Sequence, residues 1–210
     1  MADEKETTRL EAFSDGVFAI AMTLLVLELA FLSKDEANGL DLWHKLLHIW
    51  PKFLSFALSF ATILIMWVNH HGLFRYIRRV DAHLLFTNGL LLLLVTFVPF
   101  PTAVLGDNLL STTDGDAKVA AGFYALSYVA INVAWALMWQ SIAHRRRVVA
   151  PGISDHDARA LSMSLLVGFV SYAAAVGLAF VNALASVGLC MLLAIFWTVQ
   201  AFRHHPEAVE

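Results

Sequence analysis

RLEAFSDGVFAIAMTLLVLE, residues 9–28, sets Arg9, Ser14 and Asp15 directly against an apolar run long enough to cross a bilayer. A carboxylate at the edge of such a run is costly in a membrane, needs a partner, and often marks a functional position. Beyond it runs a stripe of Ile20, Leu24 and Leu27, with Thr23 beside it. Such a stripe is either a face for helix packing or the wall of a pore.

The rest of the chain explains why a membrane is the setting. Of its 210 residues, 59% are hydrophobic and only 15% charged, with a mean hydropathy of +0.68. A soluble domain of this length has no polar shell to cover that much apolar surface. The single cysteine, Cys190, lies in an apolar run and excludes a disulfide framework. The start, MADEKETTRLE, is acidic and lacks the basic region of a cleaved signal. It is expected to remain as a short cytoplasmic tail.

A bilayer core needs roughly 20 apolar residues per helix. That measure predicts an all-α membrane protein, a single six-helix unit over 1–210, with spans at 13–32, 51–71, 84–105, 119–142, 160–181 and 184–202. Lys5, Arg9, Arg75, Arg78, Arg79, Arg145, Arg146, Arg147, Arg159 and Arg203 all fall on one side. The positive-inside bias then places both termini in the cytoplasm. Pro51 suits a first helical turn, and Pro99-Phe100-Pro101 is expected to kink or end the third span. DLWHKLLHIWP, 41–51, reads as a short amphipathic helix on the outer surface.

Angles on the first helix separate two features. At 100° per residue, Phe13, Gly16, Ile20, Leu24 and Leu27 lie within about 40° of Ile20, and Thr23 lies about 60° away. Asp15 lies about 140° away and Glu28 about 80°. The stripe and the carboxylate therefore serve different surfaces. Counting helical rise, Ser14, Asp15, His70, His71 and Asn88 reach a similar depth near the cytoplasmic edge. A hydrogen-bonded network among the first three spans would satisfy them. It reads either as a lock between helices or as a gating device, because a histidine facing a carboxylate titrates near neutral pH.

The string R-x3-FSDGVFAIAMTLLVLE, with WVNHH (67–71), FRYIRR (74–79), Asn88 and FVPFPTAVL (97–105), resembles the transmembrane protein 175 family of endolysosomal and bacterial potassium channels. The resemblance is specific over the first three spans and rests on hydropathy and length beyond them. It implies a K⁺-permeable channel without a TVGYG-type carbonyl filter, and no such string occurs here. It implies a homotetramer whose first helices line the pore, with apolar constrictions at Ile20, Leu24 and Leu27 and a polar layer at Thr23. It also carries Arg9, Phe13, Ser14 and Asp15 into a structural network with Trp67, His70 or His71, and Asn88. A single six-helix unit resembles the prokaryotic, plasma-membrane form. An apolar ring can gate by dewetting; Glu28 at the outer end is a weaker candidate for a carboxylate ring that concentrates cations.

The rival reading is a proton-linked secondary transporter that uses Asp15 and the histidines of the second span. Broken helices and mid-membrane polar groups are expected of a transporter, and the first span offers only Thr23 there. No hydrolase motif is present, so no enzyme is expected. Neither is a metal site, since adjacent His70 and His71 point about 100° apart on a helix. The partners expected are copies of the chain, lipid and permeant K⁺, with no cofactor and no nucleic acid.

Overall fold

The computed structural model describes residues 2–29, 41–77, 79–143 and 155–204, with side chains described from residue 6 and, in the last two helices, over 158–200. The Lys34–Glu36 segment, Arg78 and the Arg145–Arg147 run lie outside the described residues.

Helix α1 (Ala2–Leu24) tightens into a 3₁₀ turn, Leu25–Leu29. It starts well before the expected span at 13. The polar opening is helical because Ala, Glu and Lys are strong helix formers whatever their depth. Helix α2 (Leu42–His48) is the short element foreseen before the second span, and none of its residues is buried. Asp41 caps it, accepting from the His44 backbone N–H at 3.0 Å. That bond, with a second from the His44 ring, holds the Asp41 carboxyl below the usual carboxylate range.

Helix α3 (Trp50–Phe74) takes Pro51 in its first turn, where a missing N–H costs nothing. Helix α4 (Ala82–Phe97) is capped by Asp81, which accepts from the Leu84 N–H at 2.8 Å. The third span then breaks at Val98 and resumes as α5 (Pro99–Asn108), so the prolines kink the span and do not end it. Helix α6 (Asp114–Ala143) opens with Asp114 and Asp116, favourable at a helix N-terminus. Helices α7 (Asp155–Ala179) and α8 (Ala183–His204) form a hairpin across a turn in which Asn182 Oδ1 accepts from the Ala185 N–H. Among the described residues, six segments are long and apolar enough to cross a membrane: Glu6–Leu29, Trp50–Phe74, Ala82–Asn108, Asp114–Ala143, Ala158–Ala179 and Ala183–Gln200.

Helix α6 is the hub and packs against α4, α5, α7 and α8, while α1 lies across α3 and α4. The interior holds a string of hydroxyls. Ser59 meets Thr102 at 2.7 Å and Tyr124 at 3.0 Å, and Tyr124 meets Tyr128 at 3.0 Å. Each hydroxyl needs its neighbour, because bare polar groups inside a membrane bundle are expensive.

Helix α5 seats on α3 through Gly106. A Cβ there would come 2.9 Å from Ser55 Oγ and 3.2 Å from the Lys52 Cα. Lys52 then pairs with Asp107 at 2.6 Å on the same seam. Gly106→Ala should cost about 1–3 kcal/mol by overpacking. A melting temperature in detergent no lower than wild type would contradict that seat. Among the small residues of the last two spans, Ala175 is fully buried, whereas Gly177 faces open space.

Candidate pore helix and its polar anchor

Helix α1 has two unlike faces. Ser14, Phe18, Ala21 and Leu25 are 0% exposed against the rest of the chain. Phe13, Ile20 and Leu27 are 62%, 58% and 54% exposed, Leu24 is 39% exposed, and Thr23 and Gly16 are exposed with them. The 3₁₀ turn, at 120° per residue, brings Leu27 into line beyond Leu24. The stripe is therefore continuous along the whole apolar length of α1 and has no partner within the described chain.

Thr23 sits in this stripe with its hydroxyl turned inward. Its Oγ1 donates to the Ile20 carbonyl at 2.8 Å, so its only proton is spent on its own helix. The oxygen lone pairs are left as acceptors on the exposed side. Glu28 goes elsewhere. It is half-buried in a turn that packs on α3 and α5, within electrostatic reach of Lys52 and Asp107. Its place is beside its own bundle, off the stripe.

The opposite face of α1 carries two layers of polar contact. The inner layer is buried. The Asn88 Nδ2 donates to Ser14 Oγ at 3.0 Å, and Ser14 Oγ donates on to the Leu10 carbonyl at 2.9 Å. With its amide hydrogens so directed, Asn88 offers its oxygen to His70 Nε2 at 2.9 Å. His70 Nε2 therefore carries the proton of that bond. His70 Nδ1 is buried with no partner, inside a ring cage of Phe18, Phe74 and Trp135.

The outer layer is half-buried. Trp67 Nε1 donates to Asp15 at 2.8 Å. His71 stacks on Trp67 and pairs through Nδ1 with Glu11 at 2.9 Å. The two histidines thus have separate partners: His70 meets Asn88 and His71 meets Glu11. Asp15 takes an indole instead of an imidazole. Glu11 was missed by sequence reasoning, although it lies one turn before Asp15 on the same face. That i, i+4 spacing was the available signal.

Two residues of the sequence-derived cluster stand outside it. Phe13 is exposed on the stripe. Arg9 is exposed, and no hydrogen bond or ion pair holds it among the described residues. Among the same residues, no group of three His, Cys, Asp or Glu gathers in a way that would hold a metal ion.

Six apolar helices, one of them anchored by polar groups on one face and bare on the other, define a multi-pass membrane protein with a helix surface left for an axis or a partner. The comparisons narrow this. A model of the endosomal/lysosomal potassium channel TMEM175 family matches residues 9–99. A potassium channel of Chamaesiphon minutus is 42% identical over 199 residues, covering 95% of this chain and 97% of that protein. One from Streptomyces collinus is 41% identical over 192 residues, covering 91% of each. A crystal structure of a lysosomal potassium-selective channel TMEM175 homologue from C. minutus superposes with a TM-score of 0.84, over 94% of this chain and 99% of the other. The chain belongs to the TMEM175 family.

Proposed function

We propose that the chain is one subunit of a K⁺-permeable channel in a cell membrane, a homotetramer with the α1 helices around the conduction axis. The supporting observation is the α1 stripe, exposed from Phe13 to Leu27 on a helix whose other face buries Ser14, Phe18, Ala21 and Leu25 completely. Ile20, Leu24 and Leu27 are the apolar constrictions, and their rings hold water poorly when narrow. Thr23 supplies the acceptor layer, its lone pairs replacing part of the ion's hydration shell. The cluster of Ser14, Asp15, Trp67, His70, His71 and Asn88 fixes the rotation of α1, and so decides which residues face the axis. The chain is a channel subunit and not an enzyme.

A proton-linked carrier is the competing mechanism, and accessibility separates the two. Cys190 is the one native thiol and is buried, so a Cys190→Ser background makes any introduced cysteine the sole target. Proteoliposomes under a K⁺ gradient would be treated with a charged methanethiosulfonate reagent. Flux that falls after treatment of Ile20→Cys, but not of Leu192→Cys on the exposed side of α8, supports the pore. Flux seen only when a proton gradient is imposed would overturn it.

A further inference from the structure

A cavity of about 420 Å³ lies between α3, α6, α7 and α8, away from the α1 stripe. One end is lined by Tyr76, Ala160 and Gln200, near the helix ends that carry the basic residues. The other reaches Thr62, Tyr128 and Tyr172 near mid-span. The volume falls within the range of small-molecule sites, roughly 300–1,000 Å³. Among the described residues, no Asp, Glu, Lys or Arg lines it.

Its walls combine two kinds of surface. Trp135, Trp139 and Trp197 present indoles from α6 and α8, and the Trp139 N–H is spent on Ser162 at 2.9 Å. Asn69, Asn132 and Gln200 bring three side-chain amides to the same space. None of these amides makes a hydrogen bond among the described residues. Asn132 is seated there by Gly168 of α7, where a Cβ would come 2.4 Å from its Nδ2. Asn132 and Gln200 are half-buried and Asn69 is exposed at the open end, so the two half-buried amides gain most from an occupant that can hydrogen-bond in an otherwise apolar setting. A roomy space with several polar partners does not stay empty.

We infer that this cavity is a binding site for an uncharged amphiphile drawn from the bilayer, with a hydroxylated head on the Asn69, Asn132 and Gln200 amides and an apolar body along the indoles. The described lining carries no charge, which argues against an ionised headgroup whose desolvation the amides alone would have to offset. The indoles offer flat apolar area with few rotamers to lose. The site borders the α1 anchor, since the Trp135 ring lies 6.1 Å from that of His70. It does not depend on α1 lining a pore.

The test uses the cavity's own fluorophores. Half of the six tryptophans line it, and Trp43→Phe with Trp50→Phe removes two that do not. A monoacylglycerol brominated on its chain would be titrated into the full-length protein in nanodiscs, with tryptophan quenching as the readout. The expected result is saturable quenching, reversed by the unbrominated monoacylglycerol. Asn132→Leu should weaken it about tenfold, the loss of one well-placed polar contact. Ser164→Phe, which fills the space from α7, should abolish it. Quenching that rises linearly and resists competition would mean bulk partition into a water-filled cavity and would overturn the proposal, even if neither variant folds. Saturable quenching that survives both substitutions in folded protein would place the site elsewhere.

Discussion

Ile20→Asn should raise K⁺ flux through reconstituted protein by about tenfold or more and should blunt discrimination between K⁺ and Na⁺. The argument starts from an apolar side chain 58% exposed at the centre of the bare stripe. Several such side chains around an axis leave a narrow gap in which water finds no partner, and the dewetted gap is a barrier to ions. An amide of similar size wets that gap. Lowering the barrier by about 1.4 kcal/mol is enough for a tenfold change in rate. Thr23, one turn further along, keeps its inward hydrogen bond to the carbonyl of residue 20, so the polar layer survives the substitution. Leu192→Asn is the matched control, no less exposed but on α8. Equal flux from wild type and Ile20→Asn would remove Ile20 from the conduction path.

The second large effect belongs to the anchor. Asn88→Leu should lower stability by about 2–3 kcal/mol and shift the melting temperature in detergent down by several degrees. Asn88 is 1% exposed and joins α1 to α3 through Ser14 and His70. Interhelical hydrogen bonds in membranes are modest, averaging about 0.6 kcal/mol each. The larger cost falls on His70. Its Nδ1 already lacks a partner, and the substitution strips Nε2 as well, leaving both nitrogens of a fully buried ring bare. Such orphaned groups cost about 1–3 kcal/mol. Converting the partner too, as Asn88→Leu with His70→Phe, should recover much of the loss. The ring would still fill its place among Phe18, Phe74 and Trp135, and no polar atom would be stranded. A double variant no more stable than Asn88→Leu alone would show that the cluster does more than tie helices together. In that case, the flux of the double variant across pH decides whether it gates.

The six spans were legible because hydropathy is a local property. A run such as LLLLLVTFV (90–98) is apolar wherever the chain puts it, and Pro51, Asp81 and Pro99 act on their own turns through a missing N–H or a capping oxygen. The two faces of α1 were legible for the same reason: 3.6 residues per turn orders its side chains relative to one another. The pairing across helices was not. His70 and His71 differ by about 100° on α3, and either meets α1 if α3 is rotated about its axis. Packing of Phe18, Phe74 and Trp135 around the His70 ring sets that rotation. It turns His70 to Asn88 and leaves His71 to Glu11. Arg9 and Phe13 show the limit from the other side, since nearness in sequence to Ser14 and Asp15 did not bring them into the cluster. The amide-lined cavity was likewise invisible beforehand, because Asn69, Asn132 and Gln200 are far apart in sequence and converge only where α3, α6 and α8 leave a gap. Periodicity arranges residues around one helix axis. Only the packing of several axes decides which of them meet.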